Sequence, residues 1–254
     1  MSLNLANWMM VFLRASALLA VFPVFSARSF PPQLRVALGA LLAWLVLPAL
    51  PATAPLGDSL GSLVGAMIVE VCVGLLLGFV SRMVFFALDM AGAVIATEVG
   101  LILPPGVNPL QDSQATVASV LLFYLAAMLW FSLDLHHWLL LGFRDSYRLL
   151  PLGGAHVSEA LLTDVLGRTA KTFVVALQLA APVMAISFII TLVFSVLGRA
   201  VPQMNVFVES FSVRILVGLT VFGLTCQLMA QHIANYLRRL PEDMLRVAQL
   251  LGAG

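Results

Sequence analysis

The stretch TFVVALQLAAPVMAISFIITLVFSVLG, residues 172–198, contains no Asp, Glu, Lys or Arg. A membrane-spanning helix needs about 20 predominantly apolar residues to cross a hydrocarbon core of about 30 Å, and this run exceeds that length. Apolar segments of this kind lie at approximately 8–25, 36–55, 60–81, 83–102, 115–137, 172–198 and 213–237. The sequence therefore predicts an all-α, membrane-associated protein with about six long hydrophobic helices.

The composition supports this class and excludes another. The chain of 254 residues is 61% hydrophobic and 10% charged, whereas soluble domains are about 25% charged. Thirteen Lys and Arg residues against twelve Asp and Glu residues leave a formal net charge of +1. Because a nucleic-acid backbone requires a basic surface, we expect the membrane to be a partner and nucleic acid not to be.

Charged residues interrupt several of the apolar segments. A charge at the centre of a membrane costs about 2.5–3.5 kcal/mol on insertion scales, so we expect these side chains to be buried against protein and paired with one another. Arg82 and Asp89, seven residues apart, would share one face of a straight helix. The candidates for such intramembrane polar pairs are Arg14, Glu70, Arg82, Asp89 and Glu98.

Two stretches are long for single membrane spans. The segments 60–81 and 83–102 are separated only by Arg82, so they form either one long bent helix or a tight hairpin. From Ser158 to Leu197 the helical pattern is nearly continuous, and about 40 residues of helix extend about 60 Å. This second stretch either breaks near Gly167 or Pro182, or projects beyond the bilayer.

Glycines recur at a spacing of four in the third segment. Gly57, Gly61 and Gly65 form one series, and Gly74 and Gly78 form another. Such stripes allow two helix backbones to approach closely. The pattern favours packing inside the chain over contact with another subunit.

The stretch GLILPPGVNPLQDSQ, residues 100–114, is not helical. Two prolines cannot continue a helix, yet the stretch carries no charge until Asp112. Irregular backbone at membrane depth is tolerated only where protein buries it or where it lines a water-filled cavity. We predict a channel plug or constriction, with a loop at the headgroup level as the alternative. The plug residues are Leu101, Ile102, Leu103, Pro104, Pro105, Gly106, Val107, Asn108 and Pro109.

The stretch DLHHWLL, residues 134–140, combines two histidines with an aspartate. Adjacent histidines point about 100° apart on a helix, as its 3.6-residue turn requires, and no third ligand has a matching spacing. We therefore expect anchoring at the membrane interface with Trp138, and no metal or cofactor. The chain lacks the HExxH, GxSxG, P-loop and GxGxxG motifs, so the sequence predicts that it is not an enzyme.

The stretch LRRLPEDMLRVAQLL, residues 237–251, predicts a short amphipathic helix. Pro241 suits a first helical turn and acidic residues follow it there. Met244, Ala248 and Leu251 share one stripe. Such a helix is expected to lie on the membrane or on a partner.

Four blocks of the sequence resemble one family. LGRAVPQMNVF at 197–207, followed by VRILVGL at 213–219, resembles the signature of the FliR family, the R subunit of the flagellar type III export gate. The blocks at 25–48, 73–95 and 136–153 resemble other parts of that family in the same order. The resemblance covers nearly the whole chain.

This resemblance implies a subunit of a hetero-oligomeric export gate in the bacterial inner membrane, within the flagellar basal body. With the P and Q subunits it would form a channel for unfolded flagellar proteins, completed by the B subunit, with its helices in stacked hairpins. Residues 1–164 would be the P-like part, which includes the plug near 101–114, and residues 165–254 the Q-like hairpin and tail.

The resemblance also implies roles for the stretch between the last two long helices. Its hairpin tip would contact neighbouring subunits through Arg199, Pro202, Gln203 and Asn205. The simpler alternative is a capped turn, because a cation is favoured at a helix C-terminus. The alternative function is a secondary transporter for a small solute, with Glu70, Asp89 or Glu98 as an ion relay.

Overall fold

The computed structural model describes residues 5–27, 30–50, 60–101, 116–203 and 205–252. These residues contain helices and no strand, which confirms the all-α class. A 3-10 turn at Leu47–Ala49 follows the third helix. The helices are α1 Leu5–Val21, α2 Pro23–Ser26, α3 Pro32–Val46, α4 Leu60–Val99, α5 Val117–Ser132, α6 Leu135–Leu149, α7 Glu159–Ala200, α8 Val206–Leu237 and α9 Leu240–Gly252.

Three described helical stretches are long and apolar enough to cross a membrane: Leu60–Val99, Glu159–Ala200 and Val208–Gly252. The last of these joins most of α8 to α9. The pair of α5 and α6, bent at its break, adds a fourth if it forms one span. The segments expected at 8–25 and 36–55 are shorter helices of 17 and 15 residues.

The two long stretches are each a single helix. The 40 residues of α4 run through Arg82 without a turn, which excludes the tight hairpin. The 42 residues of α7 continue through Gly167 and contain Pro182, although a proline has no N–H to donate to the preceding turn. At 1.5 Å per residue α7 is about 63 Å long, about twice the hydrocarbon thickness.

The chain packs as two compact units. The first comprises Met1–Met83, Trp130–Thr169 and Leu237–Gly254. Its core is formed by α1, α3, α6 and α9 with the first half of α4, and Trp130, Tyr147 and Phe22 are among its largest fully buried side chains.

The second unit comprises Val84–Leu129 and Ala170–Tyr236. In this unit α7 and α8 form an antiparallel hairpin. The Arg214 guanidinium donates to Thr191 Oγ1 over 3.0 Å, and the Tyr236 hydroxyl lies 3.5 Å from Gln178 Oε1. Thr191 and Arg214 lie near the connection between the two helices, and Gln178 and Tyr236 lie farther from it along each helix. This order of contacts is the one that antiparallel packing produces.

Helix α9 is covered by its own chain, in contrast to the expectation that it lies on the membrane or on a partner. Its predicted stripe is buried, with Met244 and Ala248 at 0% exposure, and α9 packs against α6. Gly142 of α6 faces Pro241. The spacing of the apolar residues in the sequence identifies the apolar face of α9. It does not identify the surface that covers this face.

An ion-pair cluster joins α9 to the start of α7. Asp164 pairs with Arg168 one turn later and with Arg246 over 3.0 Å, and Arg168 also pairs with Asp243. The sequence alone does not reveal this cluster. Only the Asp164–Arg168 spacing signals it, because residues four apart on a helix are neighbours.

The two glycine series have different surroundings. A Cβ added at Gly74 would lie 2.4 Å from the Arg14 carbonyl oxygen, and one at Gly78 would lie 2.9 Å from that of Leu18. Here α4 and α1 are in close backbone contact. A Cβ at Gly61 or Gly65 would meet nothing within 4 Å among the described residues, and Gly57 lies outside them.

We expect Gly74→Ala to destabilise the protein by about 1–3 kcal/mol, because overpacking a close contact costs that much. Gly65→Ala is the matched control. It adds the same methyl group to the same helix in open space, and should be neutral or stabilising by roughly 0.5–1 kcal/mol. Thermal unfolding of the purified chain in detergent measures both. Equal melting temperatures for the two variants would contradict this packing.

Candidate functional site

The first unit contains a fully buried ion pair. Arg14 of α1 and Glu70 of α4 are both 0% exposed. Arg14 Nε donates to Glu70 Oε2 over 2.6 Å, and its NH2 group donates to Oε1 over 3.0 Å. This two-bond geometry matches the planar guanidinium to the carboxylate. The structure thus brings together two of the five residues predicted to form intramembrane polar pairs.

Other groups complete the polar surroundings of the pair. Arg14 donates to the Leu150 carbonyl over 3.3 Å and to Ser146 Oγ over 3.4 Å. Its guanidinium carbon lies 3.9 Å from the centre of the Tyr147 ring. The Gly153 amide donates to Glu70 Oε1 over 3.0 Å. None of these partners was identified in the sequence, because they lie more than 80 residues from the group they contact.

The pair has a structural role in this geometry. Two charges leave water at a cost of several kcal/mol each, which is recovered only when the geometry is good and the remaining lone pairs and protons are bonded. The network meets both conditions while joining α1, α4, α6 and the residues after α6. It holds these elements in one arrangement.

The other charged candidates have different surroundings. Arg82 and Glu98 are half-buried and Asp89 is exposed. The Glu98 backbone carbonyl accepts a hydrogen bond from Ser187 Oγ over 3.2 Å. Arg82 and Asp89 each have an interaction partner. Their pairing with each other stays a prediction.

The segment expected to form the plug begins at a helix cap. Gly100 has a left-handed φ of 84°. Its amide donates to the Thr97 carbonyl, and the Leu101 amide donates to that of Ala96 over 2.8 Å. This pair of bonds is a Schellman motif, which ends a helix at a left-handed glycine. Leu101 is 42% exposed, and Ile102–Pro109 lie outside the described residues.

The far end of the same segment is also capped. Thr116 Oγ1 accepts a hydrogen bond from the Ser119 amide over 3.1 Å, as an N-cap residue does for the first helical turn. A Cβ at Gly92 would lie 2.3 Å from Ser119 backbone atoms, and one at Gly100 would lie 2.9 Å from the Phe211 ring. Gly100 and Thr116, which flank residues 102–115 in the sequence, are therefore both held by local hydrogen bonds, and Gly100 lies beside α8.

The tip of the α7–α8 hairpin is exposed. Arg199 lies in the last turn of α7, and within the described ranges its side chain has no ion-pair partner. Pro202 and Gln203 form the turn. Asn205 caps α8, since its Oδ1 lies 3.4 Å from the Val208 amide. The geometry of a capped turn is present, and the exposed Arg199 and Gln203 side chains remain available for other contacts.

The buried pair gives a quantitative expectation. Arg14→Met or Glu70→Met alone should destabilise the chain by about 3–5 kcal/mol, because each leaves a buried charge without its partner. The double variant Arg14→Met/Glu70→Met should lose less than the sum of the single variants. Unfolding in detergent measures the cycle. The control, Arg148→Met, removes a 67% exposed arginine at 3.8 Å from Asp145 and should lower the free energy of unfolding by less than about 1 kcal/mol. If the changes in unfolding free energy of the two single variants of the buried pair simply add up in the double variant, the coupling is contradicted.

Comparison with known proteins gives one consistent result. The chain is similar to the flagellar biosynthetic protein FliR of Pectobacterium carotovorum, with 28% identity over 252 residues, covering 96% of each chain. It is 27% identical over 252 residues to that of Escherichia coli K12, covering 98% of this chain and 95% of the relative. The FliR of Caulobacter vibrioides is 28% identical over 217 residues, 85% of this chain and 86% of the relative.

These relatives confirm the resemblance to the FliR family. The family model described as bacterial export proteins, family 1, matches residues 5–240. That range includes the buried ion pair, both ends of the plug segment and the hairpin tip. The chain therefore belongs to the bacterial export proteins, family 1.

Proposed function

We propose that this protein is a subunit of the flagellar type III export gate. With the P and Q subunits it forms the channel through which unfolded flagellar proteins are exported, and the B subunit completes the gate. The observation that carries the proposal is the family match over residues 5–240, together with relatives that are named flagellar biosynthetic proteins. We place the gate in the bacterial inner membrane at the flagellar basal body.

The long helices support assembly with other helical subunits. Leu216 and Leu224 of α8 are 71% and 79% exposed, and large apolar side chains of α7 such as Val196 are similarly open. Since α7 is about 63 Å long and a hydrocarbon core is about 30 Å thick, lipid cannot cover the whole of it. Apolar surface outside the bilayer needs protein neighbours.

Most of the α7–α8 hairpin falls in the second part of the division of the chain that we propose. We assign residues 1–164 to a part like the P subunit and residues 165–254 to a part like the Q subunit, of which α7 and α8 are the long hairpin. Arg199 and Gln203 at its exposed tip are proposed to contact neighbouring subunits. The cap made by Asn205 orders the backbone that presents them.

We propose that residues 101–109 form the channel plug. The caps at Gly100 and Thr116 support this role, because they fix both ends of an uncharged, proline-rich segment. Pro104 and Pro105 prevent this segment from extending either helix. A barrier of this kind requires no catalysis by this chain.

The solute-transporter alternative gains no support from the contacts of Glu70. Its carboxylate is fully buried and accepts bonds from Arg14 and from the Gly153 amide. A relay carboxylate must bind and release an ion in turn, whereas this one is held in a fixed pair. We therefore retain the export gate as the proposed function.

The first test is purification of the full-length tagged chain, expressed with the P, Q and B subunits and extracted in mild detergent. We expect a large particle in which mass spectrometry identifies the P and Q subunits. An unrelated tagged membrane protein of similar size, expressed with the same subunits, is the control. Recovery of the chain as a monomer or homodimer, with the partners present in the extract, would contradict the assembly.

The plug has its own test. Shortening 103–109, or replacing it by a glycine and serine linker of equal length, should leave the complex assembled but make it permeable to ions and small molecules. The linker variant separates the effect of apolar character from that of length. Conductance or dye leakage across membranes containing the complex measures the result. A fully assembled complex with unchanged permeability in both variants would refute the plug.

A further inference from the structure

The corner between α5 and α6 brings an aspartate and two histidines together. Helix α5 ends at Ser132 and α6 begins at Leu135. Asp134, between them, has a left-handed φ of 54°, a conformation that aspartate adopts more readily than most residues. One ligand atom from each of Asp134, His136 and His137 lies within 4.8 Å of the others.

The two histidine rings are closer than their sequence positions suggest. Adjacent residues diverge by about 100° around a helix, and on that ground the sequence argued against a shared ion. In the first turn of α6, however, the ring centroids of His136 and His137 are 4.1 Å apart, with 39° between the planes. The backbone break just before this turn also lets Asp134 reach the same place.

The polar groups of this cluster are not committed elsewhere. An aspartate before a helix ordinarily accepts a hydrogen bond from a first-turn amide, but the Asp134 side chain makes no such cap. Its Oδ1 lies 3.8 Å from His137 Nδ1. His136 Nδ1 is buried and has no hydrogen-bond partner among the described residues. A buried polar atom without a partner is costly and calls for an explanation.

We propose that Asp134, His136 and His137 form a binding site for a divalent metal ion of the Zn²⁺ type. Imidazole nitrogen suits Zn²⁺, Cu²⁺ and Ni²⁺, and a single carboxylate completes a three-ligand set that leaves a position for water. The proposal is independent of the export function.

The distances are compatible with such an ion after small movements. Nitrogen and oxygen ligands about 2.0–2.2 Å from tetrahedral zinc lie roughly 3.3–3.6 Å from each other. The widest separation in the cluster must therefore shrink by at most about 1.5 Å. Asp134 and His137 are 73% and 67% exposed, so their side chains are free to rotate toward a shared ion.

The proposal is tested with Zn²⁺ alone on the full-length chain in detergent, purified with a tag that lacks histidine. Zinc also binds thiolates, and Cys72 and Cys226 are free, so Cys72→Ser/Cys226→Ser is the parent. We expect one saturable Zn²⁺ per chain by isothermal titration calorimetry and by metal analysis after dialysis.

The variants locate the ion. His137→Gln, at an exposed position, should weaken Zn²⁺ binding at least tenfold, and Asp134→Asn should weaken it while keeping the left-handed backbone. His232→Gln removes an exposed histidine elsewhere and should change nothing. Because His136 is half-buried, His137→Gln decides the outcome if a His136 variant fails to fold.

Electron paramagnetic resonance with Cu²⁺ adds a direct count of ligands. The spectrum of the parent should show hyperfine splitting from two imidazole nitrogens, and that of His137→Gln should show one. Absence of saturable Zn²⁺ binding in the parent, or equal binding in the parent and His137→Gln, would overturn the proposal. So would an equal loss of binding in His232→Gln.

Discussion

The buried Arg14–Glu70 pair is the constraint on which the first unit depends. Two charges in apolar segments require each other, because neither has water to solvate it. The pairing of these two charges brings α1 against α4. The same contact places the Arg14 carbonyl oxygen where a side chain at Gly74 would lie. Glu70 and Gly74 are one turn apart on α4, so charge pairing and close backbone packing belong to a single helix contact.

That contact also organises residues distant in sequence. The guanidinium donates to the carbonyl of Leu150, and the carboxylate accepts from the amide of Gly153. The turn after α6 is thereby fixed to α1 and α4. Since α9 packs on α6 and the Leu251 carbonyl accepts from the His156 amide, the tail of the chain is built onto the same arrangement.

In the second unit, local backbone chemistry defines the ends of the proposed plug. Gly100 ends α4 in a left-handed conformation, and Thr116 begins α5 with a side-chain cap. These devices are short-range and could be read from the sequence, as could the proline-rich character of the stretch between them. The contact of Gly100 with Phe211 could not, since more than 100 residues separate the two.

The sequence by itself determined the class, the long apolar helices, the end of α4 at Gly100 and the family, because these follow from local composition and motif order. It marked Arg14 and Glu70 as charges needing partners without assigning them to each other. Tertiary structure decided that pairing, the single helix through Arg82, the burial of α9 under its own chain and the meeting of Asp134 with His136 and His137. Each of these depends on contacts between residues far apart in the sequence or on the left-handed backbone at Asp134. The helical periodicity of the sequence carries no information about such contacts or about that turn.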